Sequence, residues 1–257
     1  MPSRFTTLNF DAPFVLQDGR SRSLHFTAGE LQSRMRLEAP DALEVDYTRT
    51  MMGFLLLNNQ PHHIAMIGMG GGSLLKFCHR HLPGTRLTVV ENNPAVVALR
   101  HTFAIPDDDA RLSVLTACGA AWVQQTADPA DVLLVDGFDA QGQPEALCSP
   151  AFYRDCQRAL APEGVMVVNL HADHPAHIQH LQHICHAFQG NVMQAMASEK
   201  CNVIVFARRG AEVSLQALRN ADWSASLCTP ATATLRGEFA RIGWVATGTK
   251  PFSAALP

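Results

Sequence analysis

Hydrophobic and polar positions change their rhythm twice along this chain. Residues 21–27 (SRSLHFT) and 31–37 (LQSRMRL) alternate apolar and polar side chains, the period of half-buried strands, with a turn expected at Gly29 between them. Apolar residues then crowd over 47–57, which predicts a helix ended by Asn58-Asn59-Gln60-Pro61. From His62 short apolar strands and helices alternate. Strands are predicted at 63–67, 86–91, 111–116, 131–136 and 164–170, and helices at 73–81, 94–103, 119–126, 150–160 and 175–188. A closing strand pair is expected at 191–197 and 201–208. Asn93-Pro94 and Ser149-Pro150 are helix starts, a capping side chain followed by a proline with no N–H to lose. Val132-Leu133-Leu134-Val135 is continuously apolar, as strands covered on both faces are. The fold class predicted is α/β: a doubly wound, mostly parallel sheet forming a Rossmann-type core, with a small N-terminal β region. The division expected is 1–58 for the β region and its linking helix, 59–210 for the core, and 211–257 for a Thr-, Ala- and Pro-rich extension with one helix near 213–220.

Composition adds exclusions. The 257 residues carry 20 Lys plus Arg against 23 Asp plus Glu, a formal charge of −3, which offers no field for nucleic acid or an anionic membrane. The longest apolar run, at 51–57, is far short of the ~20 residues of a spanning helix. The first twenty residues hold Asp11 and no apolar core flanked by a cleavage signal. Seven cysteines without a CxxC pair read as small buried hydrophobes of a reducing compartment, so the location expected is the cytoplasm.

The chemistry gathers at strand ends. Gly68-x-Gly70-x-Gly72 follows a strand and opens a helix, where glycines admit positive φ and free N–H groups face a ligand. Glu91 lies nineteen residues after Gly72 at the end of the next strand, placed to accept hydrogen bonds from ribose hydroxyls. The GxGxG spacing favours an S-adenosylmethionine-type ligand over a dinucleotide, and no Gly-Lys-Ser/Thr follows. Asp136 ends the fourth strand of the core and Asp139 follows in its loop, so both carboxylates face the same crevice. Two acids beside a sulfonium suit a cationic amine that must lose a proton before it attacks. Asp139 has a structural reading as well, as the cap of a turn. Cys118 is expected to line the cofactor, having no adjacent base to make it a reactive thiol. His171, His174, His177, His180, His183 and His186 recur every third residue. At about 100° per residue that row drifts around a helix, so it predicts a solvated face and no metal site.

The segments IAMIGMGGGSLLK, LTVVENNPAVVALRHTF and VLLVDGFDAQGQPEALCSPAFYRDCQRALAPEGVMVVNL resemble the catalytic core of the polyamine aminopropyltransferases, the spermidine synthase family. LQSRM at 31–35 and DYTRTMM at 46–52 extend the resemblance to about residues 20–208. It implies a methyltransferase-like core and a decarboxylated S-adenosylmethionine donor whose aminopropyl group passes to a small cationic amine. It also implies Asp136 as the base, Asp139 as a holder of substrate or donor amine, and Tyr47 beside the amine chain. Glu91 is implied on the ribose and Gln32 on the donor. A homo-oligomer is implied too. The chain departs from the family at Gly71, where an Asp is usual, at Ala117-Cys118, where Gly-Asp is usual, and at 197–200, where an aromatic is usual. Two alternatives stand beside it: an S-adenosylmethionine-dependent methyltransferase, and a non-catalytic nucleoside-binding member.

Overall fold

In the computed structural model, residues 12–28, 31–199, 201–210, 212–213, 215–225 and 227–248 are described; the turn expected at Gly29 lies outside them. The strand β4 (His63–Ile67) is buried from end to end, and its side chains divide by parity. Ile64 and Met66 join one apolar cluster, while Ala65 and Ile67 join another. The strand β7 (Ala130–Val135) divides likewise, Val132 and Leu134 on the first face and Leu133 and Val135 on the second. A strand with two buried faces has no solvated side to mark with polar residues, which is why these runs read as unbroken apolar sequence.

Around β4 and β7 lies a seven-stranded sheet. The further strands are β5 (Arg86–Glu91), β6 (Leu112–Thr116), β8 (Leu160–His171), β9 (Val192–Met196) and β10 (Asn202–Arg208), in the order β6-β5-β4-β7-β8-β10-β9. The first five strands of that order are mutually parallel, and β10 is antiparallel to both its neighbours. Chain progression reverses between β4 and β7, the switch point beyond whose strand ends open α/β sheets bind ligands. The helices α2 (Ser73–His81), α3 (Pro94–Ala98), α4 (Gly119–Gln125), α5 (Pro150–Ala159) and α6 (His177–Ala187) connect the strands. Asn93 and Ser149 cap α3 and α5, accepting from Ala95 N at 3.0 Å and Phe152 N at 3.1 Å. A separate antiparallel sheet of three strands precedes this core: β1 (Phe14–Gln17), β2 (Ser21–His25) and β3 (Leu31–Arg36).

Several elements differ from the sequence expectation. The helix expected over 47–57 is α1 (Asp46–Met51) running into a 3-10 helix at Met52–Leu56; Gly53, a weak helix former, stands at the change. The helix expected over 94–103 stops after α3 and resumes as a 3-10 turn at His101–Phe103, which turns Phe103 fully into the core. The strand at 164–170 is longer, because α5 passes directly into β8. The strand β1 stands ahead of the two strands predicted individually, and its residues are mostly exposed and show no alternation. Past α7 (Leu215–Asn220) the extension forms a 20-residue helix, α8 (Thr229–Gly248). Ala231, Leu235, Phe239 and Ile242 bury one stripe of it at steps of four, four and three, a helical period that its many Thr and Ala residues obscure. Phe239 meets Trp223 edge-on at 4.8 Å, and Glu238 accepts from Thr50 of α1, so the extension is built into the core. None of the described helices is long and apolar enough to cross a membrane.

Candidate active site

Three turns meet at the switch point. After β4 the chain enters Gly68 at φ +93°, and a Cβ there would stand 2.2 Å from the backbone oxygen of Asp136. Only glycine therefore lets this loop lie against the end of β7. Gly70 and Gly72 also have positive φ, and Gly72 is the residue before α2. Glu91 ends β5 and is buried. Its Oε2 accepts from Met69 N inside the glycine loop and its Oε1 accepts from Asn93 N, both at 2.9 Å. The carboxylate thus ties two strand-end turns together, and each oxygen keeps a second lone pair for an incoming hydroxyl.

Asp136 follows β7 and is half-buried. The Tyr47 hydroxyl donates to its Oδ2 at 3.0 Å, and the Asn169 amide donates to its Oδ1 at 2.8 Å. Asn169, on β8, accepts in turn from the Asn202 amide of β10 at 2.9 Å. Burial raises the Asp136 pKa above the usual carboxylate value, while the bonds from Asn169 and Tyr47 and the nearby His171 ring pull it back. Burial, followed by the Asp136 charge, pushes the Tyr47 pKa far up, which keeps the phenol protonated and donating. Tyr47 is placed by α1. Its neighbour Asp46 is buried there and accepts from Tyr47 N and from Glu199 N, both at 2.7 Å. That second bond ties the turn between β9 and β10 to α1 beside the tyrosine.

The other candidates are placed more loosely. Asp139 pairs with Gly142 through the backbone at 2.9 and 3.2 Å, and its Oδ1 accepts from Gln141 N at 2.8 Å. This is the turn-capping geometry, and Asp139 shares no hydrogen bond with Asp136. Between the two acids Phe138 stacks on His171, centroids 4.6 Å apart. Gln32 is half-buried on β3, whose next residue, Ser33, is buried against the glycine loop: a Cβ on Gly71 would stand 2.6 Å from Ser33 Oγ. Cys118 is exposed and precedes α4; with Cys201 and Cys228 it departs from the expectation of buried cysteines, which holds for the other four.

Sequence reading missed Asp46, Asn169, Asn202 and Ser33. Asn169 carried a signal, a lone amide inside the apolar run VMVVNL, since a buried amide needs partners. The histidine row is not uniformly solvated either. His180 is buried and stacks on His174 at 5.3 Å, and burial lowers its pKa. Among the described residues no group of three or more His, Cys, Asp or Glu side chains is arranged to hold a metal ion.

Comparisons with known proteins agree with this architecture. Residues 44–207 match the spermine/spermidine synthase domain. A polyamine aminopropyltransferase of Chromobacterium violaceum is 37% identical over 196 residues, covering 76% of this chain and 75% of that one. A polyamine aminopropyltransferase of Neisseria meningitidis serogroup A is 36% identical over 195 residues, covering 75% and 74%. In fold, a probable spermidine synthase from Corynebacterium glutamicum superposes with a TM-score of 0.68 at 19% identity, covering 95% of this chain and 94% of that one. Human methyltransferase-like protein 13, in complex with SAH, superposes with a TM-score of 0.59 at 22% identity, covering 82% and 98%. The chain belongs to the spermine/spermidine synthase family, the polyamine aminopropyltransferases.

Proposed function

We propose that this protein moves the aminopropyl group of decarboxylated S-adenosylmethionine to a diamine or polyamine, with Asp136 as the base. The observation that carries this reading is the Tyr47–Asp136 hydrogen bond at the mouth of the glycine loop. The acceptor amine arrives as a cation, and Asp136 draws it in and takes its proton; a carboxylate with a raised pKa is the better base for that task. The freed nitrogen lone pair attacks the carbon next to the sulfonium in line. The carbon–sulfur bond breaks, and its electron pair stays on sulfur to leave neutral methylthioadenosine. The Tyr47 phenol, held protonated, keeps Asp136 aimed and offers a flat apolar flank to the methylene chain of the amine. Glu91 accepts from the ribose hydroxyls with the lone pairs that Met69 N and Asn93 N leave over. Gln32 and Cys118 line the donor, and Asp139 meets an ammonium at the outer edge of the crevice. Fixing both reactants in one orientation supplies much of the rate.

One observation bears on the second and less supported reading, methyl transfer from S-adenosylmethionine. The space beyond Gly71 is closed by Ser33 Oγ and by Phe103, and Ser33 Oγ lies 3.5 Å from Ser73 Oγ. Neutral hydroxyls there neither hold an ammonium by charge nor repel a carboxylate. Calorimetric titration separates the two readings. Aminopropyl transfer predicts tighter binding of decarboxylated S-adenosylmethionine, and a strong preference for the carboxylated form overturns it.

A further inference from the structure

The amide chain behind Asp136 has one consistent polarity. An ionised carboxylate can only accept, so the Asn169 NH2 must face Asp136. The Asn169 carbonyl then faces Asn202, which must donate through its own NH2. Asn169 is buried on β8, and its partner stands opposite His171 in the antiparallel ladder of β8 and β10. Asn202 also begins β10, at the end of the same turn whose Glu199 N is bound by Asp46 next to Tyr47. The two ends of that turn are therefore bonded to Asp46, the neighbour of Tyr47, and to Asn169, the other partner of Asp136.

We propose that Asn202 is a positioning residue for the transfer reaction: by donating to Asn169 Oδ1 it locks the Asn169 amide with its NH2 toward Asp136, and so holds Asp136 as an oriented, ionised acceptor. Three groups face that carboxylate: Tyr47 from α1, Asn169 from β8 and the ring of His171 at the end of β8. Of these, Asn169 is the one whose far side is bonded to a second side-chain amide, and that partner sets which end of it, donor or acceptor, meets Asp136. If Asn202 stops donating, a flipped Asn169 puts its carbonyl against Asp136, and the carboxyl must then keep a proton to satisfy it. The base would be lost without any change to Asp136 itself.

The inference rests on the proposed role of Asp136, and the test separates the two. The Asn202→Asp variant offers an acceptor where Asn169 needs a donor, Asn202→Thr keeps a hydroxyl donor, and Asn202→Ala offers nothing. The direct readout is the titration of the Asp136 carboxyl carbon by NMR in the full-length protein, alongside the pH profile of kcat/KM. Asn202→Asp is expected to move the Asp136 midpoint and the acid limb of the profile up by about one pH unit, with a loss of up to about tenfold in kcat/KM on the acid side of the profile. Asn202→Ala should shift in the same direction by less, and Asn202→Thr should stay close to the parent. An Asp136 midpoint unchanged in Asn202→Ala and in folded Asn202→Asp overturns the inference, whatever the activity. A parent protein that turns over no donor counts against the proposed function and leaves the titration to decide this point by itself.

Discussion

The Tyr47 hydroxyl and the Asp136 carboxylate, 89 positions apart in sequence, meet at 3.0 Å across the seam between α1 and the end of β7. Neither residue is placed by its own segment alone. Gly68 clears the space for the backbone at Asp136, and Asp46 and α8 fix the helix that carries Tyr47.

Asp136→Asn keeps the size of the side chain and removes the proposed base. Steady-state assays should show kcat reduced by about 10²–10⁴-fold with donor affinity near the parent value. Tyr47→Phe should lose about tenfold, mostly in kcat/KM, because it removes an aiming hydrogen bond and keeps the aromatic flank.

Glu91 holds two backbone N–H groups and is proposed to hold the ribose as well. Glu91→Gln loses the charge proposed to face the ribose and can present only one carbonyl oxygen to the backbone N–H groups of Met69 and Asn93. Calorimetry should show donor Kd raised about tenfold or more, and thermal denaturation a lower Tm, since a buried N–H left without a partner costs about 1–3 kcal/mol.

Gly71 sits under Ser33. Gly71→Ala would put a methyl 2.6 Å from Ser33 Oγ and 3.0 Å from Phe103, costing about 1–3 kcal/mol by overpacking. Ser33→Ala removes the closer atom. In a double-mutant cycle by chemical denaturation the pair should be less destabilised than the sum of the singles, by about 0.5 kcal/mol or more.

Lys76 gives the fold a pH signature. Its side chain is buried, with Nζ donating to Phe103 O at 2.7 Å. Burial lowers its pKa from 10.5 to about 8, partly offset by Asp41. Between those values the unfolded chain binds the proton and the folded chain does not, so stability rises with pH across that window. Denaturant titrations from about pH 8 to pH 10.5 should show the rise, and Lys76→Met should flatten it.

Much of the fold was legible because β4 and β7 are buried on both faces and because Asn93-Pro94 and Ser149-Pro150 mark helix starts without tertiary help. What stayed hidden is what tertiary contact decides. The long helix α8 shows its apolar stripe only once α1 and the 3-10 turn after it are there to cover it. The same division runs through the site. Gly68, Glu91 and Asp136 were readable because strand ends fix them locally. Asp46, Asn169 and Asn202 act through partners distant in sequence, and polar residues of that kind look ordinary until the sheet brings them together. Asp139 was drawn to the site by its neighbourhood to Asp136, yet one of its oxygens serves the turn it sits in.

Asp136, aimed by Tyr47, is proposed to deprotonate the amine for aminopropyl transfer. The most direct measurement is single-turnover chemistry with decarboxylated S-adenosylmethionine and a diamine, following methylthioadenosine and the aminopropylated amine together. The parent protein is expected to form both products in equal amounts, and Asp136→Asn, still binding the donor, to form them at least about a hundredfold more slowly. Donor binding without either product in the parent, or an Asp136→Asn variant as fast as the parent, would contradict it.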